Sequence, residues 1–209
     1  MIPGKHPSEE VQKETVEKIM EIIETSKKEN HTVVFFDPMH QIHNNENDYC
    51  WQFKGKANTK TIGSNSGRRR LNIIGAIDPI NLNPTIILTE ANCDADLMTA
   101  YLKHLKEIYS TKDKITVILD NASYNRAYKT QDCAKDLGIE LFYLPPYSPN
   151  LNLIERLWKF FKKKIMKNKY YETFKEFERN VEEFFKNFNQ YNQELITLLT
   201  LNFGIIKAS

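Results

Sequence analysis

The chain has little of what several functional classes require. Its three cysteines, Cys50, Cys93 and Cys133, are odd in number and form no Cys-x-x-Cys pair. Neither a disulfide framework nor a thiolate zinc site is encoded, and reduced thiols in the cytoplasm are expected. No apolar stretch approaches the ~20 residues that span a bilayer, so no membrane partner is expected. The charged N-terminal segment does not read as a signal peptide. The few glycines build no phosphate-cradling loop, which argues against a nucleotide-driven motor. Ser64, Ser123 and Ser148 lack a Gly-x-Ser-x-Gly context, so a hydrolase nucleophile is unsupported. His40-Gln41-Ile42-His43 has loose spacing and no further local ligand, which disfavours zinc. A large charge excess is missing too: the net charge is +2, which neither demands nor excludes a polyanionic partner.

What is present is uneven. Between Arg156 and Lys169 stand Arg156, Lys159, Lys162, Lys163, Lys164, Lys167 and Lys169, with no acid among them. Gly67-Arg68-Arg69-Arg70 is a second basic cluster. Local patches of this kind matter more to a phosphate backbone than the total charge does.

The hydrophobic pattern predicts a helix from Ser8 to about Lys28, with Val11, Thr15, Ile19, Ile22 and Ile23 as its apolar stripe. Strands are expected at Thr32–Phe36, more weakly at Tyr49–Lys54, then at Leu71–Ile77 and Thr85–Thr89, the last two joined by a hairpin. Lys56–Arg69 reads as a loop. The second half alternates. A helix from Asp94 to Tyr109, with Leu97, Tyr101, Leu105 and Ile108 inward, precedes a strand at Ile115–Leu119. A helix over Arg126–Leu137 stopped by Gly138 and a strand at Glu140–Leu144 follow. Asn150 or Asn152 then caps a helix carrying Ile154, Leu157, Trp158, Phe161 and Ile165, and a last helix spans Thr173–Asn189. The fold class is therefore α/β, a mixed sheet with helices on its faces. Two parts are expected: residues 1–30 as an N-terminal linker and helix, and 31–209 as the main domain. The aromatic residues of the last two helices are spaced like core.

Three carboxylates stand out. Asp37 ends the run Thr32-Val33-Val34-Phe35-Phe36, and Asp120 ends Ile115-Thr116-Val117-Ile118-Leu119. Each alone is an ordinary turn residue. Two aspartates on neighbouring strand ends are another matter, because like charges brought together at low dielectric call for a cation between them. Glu155 suits the first turn of its helix, yet Ile154 and Leu157 place it at the edge of the buried face. Such a set offers hard oxygen ligands to Mg²⁺, and two such ions drive phosphoryl transfer on nucleic acid.

The residues around these acids resemble the catalytic domain of Tc1/mariner-superfamily transposases, in the bacterial insertion-sequence branch. Asp120 and Glu155 are separated by 34 residues, as that superfamily's Asp-Asp-Glu pattern expects. Leu144-Pro145-Pro146-Tyr147-Ser148-Pro149-Asn150-Leu151-Asn152, then Ile154-Glu155 and Trp158, follows the family's signature before its glutamate. Leu119-Asp120-Asn121-Ala122 matches the second-aspartate motif. Phe35-Phe36-Asp37 with His40 matches the first, and Tyr49-Cys50-Trp51 with Gly55 matches the turn after it. The resemblance covers about residues 32–170. It implies an RNase H-like fold, two Mg²⁺ or Mn²⁺ ions held by Asp37, Asp120 and Glu155, and DNA strand cleavage and transfer during transposition. Asn121 and His40 are then expected beside the ligands. Arg68, Arg69, Arg70, Arg156, Lys159, Lys162 and Lys163 are expected on DNA, at transposon ends and target. A homodimer holding two ends is compatible with it. Pro38 after the first aspartate, and Tyr124-Asn125 where many relatives carry histidine, depart from the pattern. Full-length relatives carry helix-turn-helix domains before this region, and Met1-Ile2-Pro3-Gly4 resembles the linker that follows them. A separately encoded helix-turn-helix part is one expectation. A nuclease of the same fold without strand transfer, and an inactive fragment with weak DNA binding, are the alternatives.

Overall fold

The computed structural model describes residues 6–44, 46–49, 51, 53–55, 61–65, 67 and 69–207. Among them, α1 (Glu9–Lys28) leads into β1 (His31–Ile42), β2 (Arg70–Ile77) and β3 (Pro84–Thr89). Then come α2 (Ala95–Ile108), β4 (Lys114–Leu119), α3 (Ser123–Arg126), α4 (Tyr128–Asp136) and β5 (Ile139–Tyr143). The chain closes with α5 (Ile154–Phe161), α6 (Phe174–Lys186) and α7 (Asn192–Leu198). The sheet order is β3-β2-β1-β4-β5. The β1–β2–β3 meander is antiparallel, and β4 and β5 add in parallel.

Alternation along the strands sorts the core into two layers. Phe35, Ile73, Ile77 and Ile118 face α5, α6 and α1, where they meet Ile19, Ile23, Leu157, Trp158, Phe161 and Phe177. Val34, Phe36, Ile74 and Val117 face α2 and α4, meeting Met98, Tyr101, Leu102 and Ala134. The aromatic series of α5 and α6 is core, as its spacing predicts, with Phe184 edge-on to Phe161 at 5.3 Å. Local chemistry sets the element ends. Asp94 accepts a hydrogen bond from Leu97 N at 2.9 Å to cap α2. Asp78 accepts from Ile80 N and Asn81 N to close the β2–β3 hairpin.

Several expectations are corrected. β1 does not stop near Asp37 but runs on to Ile42 along β2. The expected weak strand at 49–54 is absent among the described residues, where Tyr49, Trp51 and Phe53 are fully exposed. The helix expected over 126–137 starts two residues later, as α4 at Tyr128, and the short α3 precedes it. Neither Asn150 nor Asn152 caps α5, whose N-cap Leu153 makes no side-chain bond. Asn150 instead donates to Gln12 Oε1 and Gly204 O, tying α1 to the C-terminal segment. Val11 and Ile108 are exposed rather than inward. The π-helical turn Lys162–Met166 and the final α7 were not anticipated.

Candidate active site

Register brings Asp37 and Asp120 together. The last parallel pair of β1 and β4 is Phe35 opposite Ile118. Each aspartate lies two residues beyond its member of that pair, so both return to the same face on adjacent strand paths, whose usual spacing is about 4.8 Å. That is the face covered by α5, whose first turn carries Glu155. All three acids line one cleft of about 410 Å³, together with Asn121, Asn152 and the Pro145–Pro149 segment. Asp37 is thus a mid-strand residue, at the point where β4 ends and leaves the side of β1 open.

The open edge is stapled by side chains. Asn152 Nδ2 donates to Phe36 O at 3.0 Å, satisfying a carbonyl that β4 no longer reaches. Strand alternation turns Pro38 to that same side, so its missing N–H costs no ladder bond. Asn121 Nδ2 donates to Leu144 O, joining the ends of β4 and β5. Asn121 Oδ1 accepts from Arg126 Nε at 2.9 Å, and the Arg126 guanidinium lies 3.7 Å from the Tyr143 ring centroid. Asp120 Oδ1 accepts from Ala122 N at 3.0 Å and from Asn125 Nδ2 at 2.8 Å. Both donors use one oxygen, which fixes the carboxylate and turns its other oxygen to a different task.

The electrostatics are those of acids held against one another. Burial, then the charges of Glu155 and Asp120, push the Asp37 carboxyl well above its ordinary range, opposed by the Trp158 indole N–H. Burial also raises Glu155; Lys159 and Lys162 oppose that shift and Asp120 adds to it. Among the described residues no three His, Cys, Asp or Glu side chains crowd closely enough to enclose a single ion. The three acids approach the cleft from separate elements, β1, the end of β4 and the first turn of α5.

The other expected residues scatter. His40 belongs to the opposite face of β1, where Nδ1 lies 2.7 Å from Asn72 Oδ1; it does not line the cleft. Arg68 lies outside the described residues. Arg69 pairs with Glu90 at 2.6 Å and lies over Phe174, and Arg70 donates to Asn92. Arg156 turns away from the cleft into the C-terminal segment, donating to Leu198 O, Thr200 O and Asn202 O. Burial there lowers its pKa. Lys162 pairs with Glu46 at 3.2 Å. Lys159 and Lys163, one turn apart on the helix that carries Glu155, line a groove against α7. Asn125 and Arg126 were missed as builders of the site. The available signal for Asn125 was its place a few residues after Asp120, where many related sequences carry histidine; in the structure it is fully buried against Asp120.

Comparison with known proteins fits this geometry. A family described as DDE superfamily endonuclease matches residues 32–178. An uncharacterised 39 kDa protein of insertion element IS630 from Shigella sonnei is 28% identical over 137 residues, 65% of this chain and 39% of that protein. The Mos1 mariner transposase catalytic domain superposes with a TM-score of 0.65 at 14% identity, covering 95% of this chain and 93% of that one. A Mos1 paired-end complex with Mn gives a TM-score of 0.71 at 17% identity, covering 95% and 62%. A Mos1 paired-end complex with the left transposon end gives 0.70 at 17% identity, covering 90% and 57%. The chain therefore spans less than two thirds of the IS630 relative and of the Mos1 chains in the paired-end complexes. The shared architecture is RNase H-like: a mixed five-stranded sheet between helical layers.

Proposed function

Because the chain belongs to the DDE superfamily of endonucleases, matched over residues 32–178, we propose that it is a transposase catalytic domain. It cuts DNA at the ends of a mobile element and joins the freed 3′-hydroxyl to target DNA. Asp37 and Asp120 would hold one divalent ion, and Asp37 with Glu155 would hold a second. Mos1 structures with Mn and with Mg support the choice of cation, and the all-carboxylate donor set fits Mg²⁺ or Mn²⁺ and not zinc. Asp37 supplies the strongest fit, since a cation would relieve the burial and like charge that disfavour its ionised form. When bound, such ions activate a water or 3′-hydroxyl and stabilise the leaving oxygen.

The chain's own residues do the positioning. Ala122 N and Asn125 hold Asp120 by Oδ1. Asn152 holds β1 beside Asp37, and the Pro145–Pro149 segment walls the cleft. Lys159 and Lys163 draw the phosphate backbone along α5, an attraction that weakens with salt and reads no sequence. Arg156 drops out of the DNA-facing set because its donors are taken by main-chain carbonyls. An end-pairing homodimer, a helix-turn-helix partner and action in the cytoplasm belong to the same proposal.

The observation that carries the reading is the shared face of Asp37 and Asp120 beneath Glu155 in one cleft. The test is nicking of supercoiled plasmid with Mn²⁺. Wild-type protein nicks and Asp120→Asn does not; nicking by the variant at the wild-type rate overturns the assignment. Joining of a 3′-hydroxyl oligonucleotide to the plasmid separates a transposase from a nuclease that only cuts.

A further inference from the structure

Gly75 stands directly opposite Asp37 in the β1–β2 ladder. Cross-strand partners direct their side chains to the same face, so a side chain at 75 would stand beside the Asp37 carboxylate. The space is taken by Trp158 and by the tip of Ile86, whose Cδ1 lies 2.8 Å from where a Gly75 Cβ would stand. Trp158 Cη2 and Cζ2 lie 2.6 and 2.9 Å from that position, closer than real Cβ atoms come. Only glycine lets the indole in. Trp158 is 3% exposed. Its Nε1 is buried without a hydrogen-bond partner of regular geometry, an uncommon state for an indole N–H. The same residue lies three positions after Glu155 on α5, on the same side of the helix.

Resting on the metal-dependent reading above, we propose that Trp158 is a positioning residue. Its ring, seated in the gap at Gly75, sets the separation of α5 from β1, and so of Glu155 from Asp37. Its indole N–H is the donor that steers the Asp37 carboxylate towards the shared cation. A ring that served packing alone would bury an unpaired N–H for no return, and phenylalanine would replace it without consequence for metal.

The test measures Mn²⁺ binding by the 209-residue chain, read from the paramagnetic resonance of free Mn²⁺, beside thermal melting without metal. Trp158→Phe keeps the aromatic bulk and removes the donor. It is expected to melt within about 3 °C of wild type while binding Mn²⁺ about tenfold more weakly, the usual loss for a hydrogen bond to a charged group. Unchanged affinity overturns the proposal. Gly75→Ala is expected to weaken Mn²⁺ binding in the wild-type background and to weaken it much less beside Trp158→Leu, where the ring tip is gone and only the end of the Ile86 side chain must give way. Equal losses in both backgrounds overturn the spacer role. Trp51 and Trp158 are the only tryptophans, so Trp51→Phe leaves Trp158 as sole emitter. Saturable quenching by Mn²⁺ at the binding midpoint is then expected, and its absence places the ion elsewhere and overturns the proposal. Wild-type protein that binds no Mn²⁺ sinks the metal-dependent reading as well; binding with an unaltered Trp158→Phe sinks the positioning role alone.

Discussion

At the amino ends of β1, β4 and β5 an acid is matched with partners, while three acids share one cleft where β4 ends beside the middle of β1 and α5 begins. Glu140 of β5 accepts from Thr116 Oγ1 at 3.0 Å and pairs with Lys114 Nζ at 2.9 Å; His31 Nε2 lies 2.9 Å from the same hydroxyl. Lys114 and Thr116 hold the Glu140 carboxyl below its ordinary value. In the cleft Asp37 and Glu155 are pushed up by burial, with like charge adding to the shift. The same sheet thus carries one charge cluster matched within the chain and another in which burial and like charge oppose ionisation. Conflict retained at one place in an otherwise consistent fold is the signature of a working site.

The largest effect that could break this comparison is on catalysis. Asp120→Asn is expected to lower Mn²⁺-dependent nicking at least ~10³-fold, since it removes a charge proposed to hold metal. Glu140→Gln is expected to leave nicking within about twofold. Comparable losses from the two variants would erase the distinction between the two clusters.

A cation should also show its difference in stability. At about 100 times its Kd a divalent ion stabilises the folded state by about 2.7 kcal/mol, or roughly 5–10 °C in a chain of this size. Calorimetry with and without Mg²⁺ is expected to give that shift for wild type and Glu140→Gln, and to lose most of it in Asp37→Asn. A shift that survives in Asp37→Asn would locate the ion away from the cleft.

Without metal the sign reverses for Asp37. Its folded pKa lies above the ordinary value of 3.8, so the folded chain binds this proton more readily than the unfolded one. The contribution to stability is fully present below the unfolded pKa and is lost as pH rises through the folded pKa. Asp37→Asn removes that loss. At pH 7 in chelator the variant is expected to melt about 2–6 °C above wild type, the gain shrinking as pH falls towards 4. A variant that melts below wild type at pH 7 would mean that Asp37 is already satisfied.

How far these features could be read beforehand differs between elements. The parity that brings Asp37 and Asp120 to one face was legible, because apolar runs of fixed length precede each, and α5 betrayed its buried face by spacing. The continuation of β1 through Asp37-Pro38 to Ile42 was not. Asp-Pro reads as a turn, and only the antiparallel support of β2, found by tertiary pairing, keeps the strand going. His40 was misplaced for the same reason, since its face depends on the strand continuing. Arg156 sat in a basic run and was expected on DNA. Its true partners are carbonyls more than 40 positions away, a contact that no local pattern encodes.

The smallest expected effect sharpens the comparison most. Lys114 and Glu140 keep 50% and 49% of their side chains exposed, so water screens the pair. Glu140→Gln is expected to cost at most about 0.5 kcal/mol, a melting change of about 1–2 °C. The sign of its pH dependence is opposite to that of Asp37. A carboxyl whose folded pKa is depressed stabilises above its unfolded value, ordinarily 4.5, and that stability is lost as pH falls through the folded pKa. The Glu140→Gln deficit should therefore be present at pH 7 and vanish in acid, just where the Asp37→Asn gain also fades. Melting curves of the two single variants in chelator, recorded from pH 7 down to pH 3, should approach wild type from opposite sides. If both approached from below, the acids of the cleft would be stabilising ordinary pairs, and the cleft would have no unmet charge for a cation to answer.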